Sequence, residues 1–338
     1  MSLTDNSSKI VIAGAGSIGC YVGGRLLDAG RNVHFLARDR IKGELETHGL
    51  TLSDFENDAS KRAANDLNIS TSPECFADAD LILVTVKSGA TVDIANDIEK
   101  FAPAGAVIVS LQNGVTNADK LRQVVGARRV LAGMVPFNVV HMGEGRFHQG
   151  TSGAIIIEAG IPGLRDLLTA PPIEIEEAED MPAVMWGKLL LNLNNALNAL
   201  SNMPLRQQIE DRAWRALLAD QMAETLRILS AADIKPKSAL PLPVGLLPRL
   251  MRLPTPIFRV IAARMLDIDP LARSSMWEDL QRGRLTEIDE LQGAVIELAD
   301  RLGRTTPICA RVAALIKQAE QDQSGSPACS VDLIRAEI

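Results

Sequence analysis

The stretch Ile10-Val11-Ile12-Ala13-Gly14-Ala15-Gly16-Ser17-Ile18-Gly19 decides how the rest of the chain is read. Its first four residues form an uninterrupted apolar run, as expected of a strand covered on both faces. Three glycines in the spacing G-x-G-x-x-G follow and open a helical pattern that takes in Gly23. Gly14 permits a tight turn, Gly16 lets a pyrophosphate approach the backbone, and Gly19 lets the helix pack closely. The start of the helix adds N–H groups without partners and the positive end of a dipole. A glycine-rich turn with no ligand would not require strand, spacing and helix together. Gly14, Ala15, Gly16, Ser17, Ile18 and Gly19 are therefore read as a dinucleotide-binding turn.

Outward from this turn, apolar runs at 33–36, 81–86, 106–110 and 130–134 alternate with amphipathic stretches. That alternation predicts βαβ units in a Rossmann-type, doubly wound parallel sheet. Residues 154–158 and 173–175, separated by a short helical stretch after Gly163, read as added strands at the far edge. From about Glu179 the pattern turns helical, over 184–200, 205–230, 276–281 and 287–302, with a last helix after Pro307. The expected fold is thus α/β, with a dinucleotide-binding domain at 1–178 and an all-helical substrate and catalytic domain at 179–338. Thr286 is placed to cap the start of the 287–302 helix and Gly303 to end it. The proline-dense segment 236–256 cannot be one regular helix; it reads as an irregular apolar insert packed on the helical domain or at a subunit contact.

A chain of 338 residues suits two domains, and its 46% hydrophobic and 23% charged residues fit a folded protein. A net charge of −7 argues against a nucleic-acid partner. No apolar run approaches the ~18–20 residues of a membrane span. Cys20, Cys75, Cys309 and Cys329 are scattered without a CxxC pair, so neither a metal site nor a disulfide framework is expected. With no secretory pattern in residues 1–8, a cytoplasmic protein is expected. A homodimer is compatible with the helical domain and the apolar insert.

The end of the second strand selects the dinucleotide. An acid there binds the ribose hydroxyls of NAD, whereas this chain reads Ala37-Arg38-Asp39-Arg40. The Arg38 guanidinium can grip a 2′-phosphate, which favours NADPH, and Arg40 reads as a solvated arginine. Lys87 and Asn113 follow the third and fourth strands at their carboxyl ends, where ligands of open parallel sheets collect. In the helical half, Met185-Trp186-Gly187-Lys188-Leu189-Leu190-Leu191-Asn192-Leu193-Asn194-Asn195 interrupts an apolar helix with polar residues. Lys188, Asn192 and Asn195 stand at i, i+4 and i+7 on one face. Hydride reduction of a ketone puts negative charge on the carbonyl oxygen, and a partly buried lysine can supply the proton. A snorkelling lysine among asparagines that bond neighbouring helices would look the same.

Four stretches together resemble the ketopantoate reductases, the 2-dehydropantoate 2-reductases of the pantothenate pathway. They are Gly14–Gly19, Leu83-Val84-Thr85-Val86-Lys87 with Gln112-Asn113-Gly114, Trp186-Gly187-Lys188 with Asn192, and Ser274-Ser275-Met276 with Thr286-Glu287-Ile288-Asp289. The resemblance implies an NADPH-dependent reductase of a small 2-oxo acid. It makes Lys188 the general acid, lets Asn192 and Ser275 hold the substrate, and assigns Glu287 to its hydroxyl group. On the cofactor side it implies Lys87, Asn113 and Arg38. On one straight helix Ser275 and Glu287 would stand about 18 Å apart, so a break near Gly283 is expected between them. Where some family members carry further substrate asparagines this sequence has Ala196 and Ala272, with Asn194, Asn195 and Asn198 nearby to compensate. A β-hydroxyacid dehydrogenase shares the Lys-x-x-x-Asn helix, and a non-catalytic NADPH sensor would share the cofactor site.

Overall fold

The computed structural model describes residues 7–55, 58–126, 128–238, 242–263 and 272–337. Its strands are β1 (Lys9–Ala13), β2 (Asn32–Leu36), β3 (Leu50–Asp54), β4 (Ala59–Arg62), β5 (Asn68–Ser70), β6 (Leu81–Val84), β7 (Val107–Ser110), β8 (Arg129–Met134), β9 (Val139–Gly143), β10 (Arg146–Gln149), β11 (Ile155–Glu158) and β12 (Ile175–Ala178). The chain divides into two compact units, Met1–Met181 and Pro182–Ile338.

The first unit is built on an eight-stranded sheet in the order β12-β11-β8-β7-β6-β1-β2-β5. The strands from β5 to β8 run parallel, β11 is antiparallel to β8, and β12 is parallel to β11. The strands with the most continuous apolar runs take the middle: Ile10, Val11, Ile12 and Ala13 of β1 and all four residues of β6 are fully buried. Strand order reverses between β1 and β6, which opens a crevice at their carboxyl ends. The edge strand expected at 173–175 lies instead at Ile175–Ala178, with Ile173 making only an isolated bridge to Ala170. The run expected to 86 leaves the sheet after Val84, because Thr85 Oγ1 turns to the Gly14 carbonyl at 2.7 Å.

A second sheet, β4-β3-β10-β9, was not foreseen. Its central pair β3 and β10 is parallel, and the hairpin joining β9 to β10 turns through Gly143, Glu144 and Gly145, all at positive φ. Leu50 and Leu52 of β3 fit against the first helix, Ser17–Asp28, where a Cβ on Gly24 would stand 2.7 Å from Leu52 Cδ1.

Among its described residues the second unit is helical throughout. Its long patterns are subdivided where side chains offer a new cap. The 205–230 pattern becomes Leu205–Glu210 and Arg212–Ala231, because Asp211 Oδ1 accepts from the N–H groups of Ala213 and Trp214. The 184–200 pattern becomes Met181–Asn192 and Asn194–Ser201. The helix after Thr286 includes a π-helical turn at Asp289–Gly293 before the α-helix Ala294–Arg301. Thr286 Oγ1 accepts from Ile288 N–H, and Gly303 adopts φ +63 with Arg304 N–H bonded to Ala299 O, so both ends of that helix stand where the sequence put them. Residues 239–241 of the proline-dense insert lie outside the described residues. The rest forms short helices, Leu247–Met251 and Thr255–Ile261, gathered by the buried Arg215. Its guanidinium donates to the carbonyls of Met251 and Leu253 and to Thr255 Oγ1, and lies 4.3 Å over the Phe258 ring.

Candidate active site

The glycine turn leaves β1 and enters the Ser17–Asp28 helix at the crevice of the first unit. Gly14 has φ +113, and a Cβ there would stand 2.6 Å from Val86 Cγ1, so the turn requires glycine twice over. A Cβ on Gly19 would meet Gly14 O at 2.2 Å and Thr85 Oγ1 at 2.7 Å, which is the close helix–strand approach the motif implied. Gly16 differs: it has ordinary φ and nothing within 4 Å of its would-be Cβ. Its missing side chain is therefore not explained by packing; it leaves open a backbone face that a pyrophosphate can approach. The first intrahelical bond is Cys20 N–H to Gly16 O, so Ser17 and Ile18 present N–H groups ahead of the ladder.

The neighbouring strands bring three more of the expected residues to the same sheet end. Arg38 follows β2, exposed, in extended conformation just before the Asp39–His48 helix. Asp39 is the first residue of that helix, where a carboxylate complements the dipole. Arg40 pairs at 3.6 Å with Glu44 one turn on. Lys87 follows β6, and Asn113 follows β7. A buried polar network sets these two loops: Gln112 Nε2 donates to Val86 O and Thr91 Oγ1, while Asn117 Nδ2 donates to Ser88 Oγ and to the Asn113 carbonyl. The sequence quoted Gln112 only as Asn113's neighbour, but it is the residue that ties the two strand ends together. Open backbone at Gly16, N–H groups ahead of the ladder and a basic Arg38 fit a phosphorylated dinucleotide.

In the second unit, Lys188 lies on the Met181–Asn192 helix, partly enclosed. Burial drives its pKa down to about 8, against the upward pull of the Glu287 carboxylate. The structure thus sets Glu287, half-buried at the start of the Thr286-capped helix, to act on the Lys188 charge. Gly187 has its own reason: a Cβ there would stand 1.7 Å from the Lys237 carbonyl oxygen, so Gly187 lets that segment close on the helix. Lys237 N–H completes the contact to Ala183 O.

Ser275 is the exposed first residue of the Ser275–Gln281 helix. Ser274 fastens that helix start to the stretch after Lys188. Its Oγ donates to Asn195 O and accepts from Trp277 N–H, and its N–H donates to Asn198 Oδ1. The break between Ser275 and Glu287 comes at Gly283, with φ +60 and Arg284 N–H bonded to Asp279 O. Two of the asparagines considered as compensating groups are otherwise engaged. Asn194 exchanges hydrogen bonds with Gln208, and Asn198 serves Met203 O, Gln208 and Ser274. Both are buried, so they hold helices together rather than reach a substrate.

The family model described as ketopantoate reductase PanE/ApbA matches residues 10–160, and the model of that family's C-terminal domain matches 180–320. The chain belongs to the ketopantoate reductase family. As such it is an oxidoreductase. It is 26% identical to the 2-dehydropantoate 2-reductase of Halobacterium salinarum, across 93% of this chain and 99% of that protein. Among solved structures, a PanE/ApbA family ketopantoate reductase from Ralstonia eutropha superposes with a TM-score of 0.80 at 31% identity, covering 93% of this chain and 99% of that one. D-mandelate dehydrogenase with NADH and anilino(oxo)acetate has a TM-score of 0.78 at 20% identity over the same shares, a likeness of fold.

Proposed function

We propose that this ketopantoate reductase family member reduces a small 2-oxo acid with NADPH, 2-dehydropantoate to pantoate first among the candidates. The carrying observation is Lys188, a lysine whose burial brings its pKa down to about 8 while the Glu287 carboxylate acts on its charge. A general acid works best with a pKa near the working pH. Gly14, Ala15, Gly16, Ser17, Ile18 and Gly19 would hold the pyrophosphate, Arg38 the 2′-phosphate, and Lys87 and Asn113 the nicotinamide side. Bound there, the reduced nicotinamide supplies the hydride. Lys188 gives its proton to the carbonyl oxygen as negative charge develops on it, which yields the hydroxy acid. Asn192 and Ser275 align the carboxylate and carbonyl, and Glu287 accepts from the substrate hydroxyl.

Ala196 and Ala272 favour a second reading, in which the same chemistry acts on a 2-oxo acid that needs fewer amide partners. The proposal extends to a cytoplasmic enzyme, where its four unpaired thiols stay reduced. It also includes a homodimer, supported by the exposed Ile257, Val260 and Ile261 on one short helix. The test follows NADPH oxidation by absorbance with 2-dehydropantoate beside branched and unbranched 2-oxo acids, with NADH as control. Fast turnover of 2-dehydropantoate supports the first reading, and turnover of another acid alone supports the second. Tight NADPH binding with no turnover of any acid leaves a sensor and overturns both.

A further inference from the structure

The helix that carries Lys188 does not run unbroken. It is helical over Met181–Asn192 and again over Asn194–Ser201, with Leu193 as a turn between them. At this interruption the Leu193 carbonyl accepts a hydrogen bond from Gln292 Nε2 at 3.0 Å, from a residue 99 positions along the chain. Gln292 is fully buried, and its Oε1 has no protein partner among the described residues. A buried polar atom left unsatisfied costs about 1–3 kcal/mol. An apolar side chain would fill the core without that cost, so packing alone does not account for a glutamine here.

The backbone around Gln292 is equally specific. It lies in the π-helical turn Asp289–Gly293, which begins just after Glu287. In an α-helix, residues five apart stand about 140° from each other around the axis. Bonding from i to i+5 widens the turn and swings Gln292 back toward the side of Glu287. The widened turn therefore lets one helix present Glu287 to the Lys188 charge and Gln292 to the end of the Lys188 helix.

We propose that Gln292 is a positioning residue for the reduction: its amide fixes the helix interruption after Asn192, holding Lys188 and Asn192 in register with Glu287. This rests on the reading of Lys188 as proton donor. Gln292 acts through the Leu193 carbonyl, so losing it should change the geometry of proton transfer while leaving the dinucleotide turn untouched.

The test uses two full-length variants. Gln292→Met keeps length and apolar volume but loses the donor; Gln292→Glu is isosteric, and its carboxyl can donate to Leu193 O only while protonated. Steady-state rates are measured with NADPH and the best 2-oxo acid across about pH 6 to 10. Gln292→Met is expected to lower kcat by about tenfold or more, to leave the KM for NADPH within about twofold, and to displace the alkaline limb of kcat by about half a pH unit. Gln292→Glu should recover toward the parental rate as pH falls. Parental kcat with a parental alkaline limb in folded Gln292→Met overturns the proposal, even if the thermal midpoint drops, since that pattern belongs to a core-filling side chain. If Gln292→Met does not fold, the pH dependence of the Gln292→Glu-to-parent ratio decides, and a constant ratio overturns it. Lys188→Ala in the parent distinguishes the underlying reading: turnover retained there sinks the proton-donor role, and this proposal with it, whatever the Gln292 variants do.

Discussion

Lys188, the proposed proton donor, shows what such a residue costs the fold. Its folded pKa, about 8, lies below the ordinary lysine value of 10.5 because burial disfavours the ammonium. Between those two values the unfolded chain holds more protons than the folded one, so stability rises with pH through that window. At neutral pH the charged lysine is thus a liability for folding. Lys188→Met should raise the thermal midpoint at pH 7 by roughly 2–4 °C, the shift about 1 kcal/mol produces in a domain of this size. It should also lower kcat by about 10²–10⁴-fold, as differential scanning and steady-state rates would show; a lower midpoint would mean that Lys188 is held in place by its contacts. With Lys188 intact, kcat should fall as pH rises through about 8, where the donor loses its proton. Arg38→Ala should raise the KM for NADPH by about tenfold and leave that for NADH nearly unchanged, since a charge-assisted bond contributes about 1.5–3 kcal/mol. Arg38 stands out in the sequence because it takes the place where the dinucleotide motif carries an acid, and Lys188 because it interrupts an otherwise apolar helix. Asn194 and Asn198, near enough in sequence to compensate, are bonded to Gln208; sequence spacing gives a helix face but not whether another helix already covers it.

At the scale of elements, the glycine turn makes the sharpest contrast. Gly16→Ala places a methyl group in open space, so the apo protein should melt within about 1 °C of the parent, while dinucleotide affinity falls as the methyl meets the pyrophosphate. Gly19→Ala drives its methyl into Gly14 O and Ile12, and should destabilise the apo protein by about 1–3 kcal/mol. Paired melting and binding curves check both, and equal melting of the two variants would show that the turn relaxes more than its packing suggests. The parallel strands were readable because continuous apolar runs have few alternative fates. The second sheet was not: β3 carries only Leu50 and Leu52 in alternation, and its partner β10 is far along the chain. The Gly143-Glu144-Gly145 turn was the available signal for the hairpin. The π turn at Asp289–Gly293 left no sequence mark at all, because widening one turn changes which residues face inward without changing their apolar spacing.

For the molecule as a whole, stability is a small difference between large terms, so a ligand that binds only the folded state registers in the melting curve. The first unit carries every group assigned to the dinucleotide, from Gly14 to Asn113, and the second carries Lys188, Asn192, Ser275 and Glu287. Element patterning was enough to foresee a sheet-based half and a helical half, since apolar strand runs alternate with amphipathic helices in the first and only helical patterns continue in the second. The proposed preference for NADPH rests on one exposed arginine, Arg38, and the whole molecule can report it. NADPH at 100 times its Kd should stabilise the protein by about 2.7 kcal/mol, a rise of several degrees in the midpoint. NADH at the same concentration lacks the 2′-phosphate that Arg38 would grip, and each tenfold loss in affinity removes about 1.4 kcal/mol of that gain. Its shift should therefore be roughly half as large. In Arg38→Ala the two coenzymes should shift the midpoint equally, through loss of the NADPH advantage and not through gain for NADH. Equal shifts already in the parent would move coenzyme choice away from Arg38 altogether.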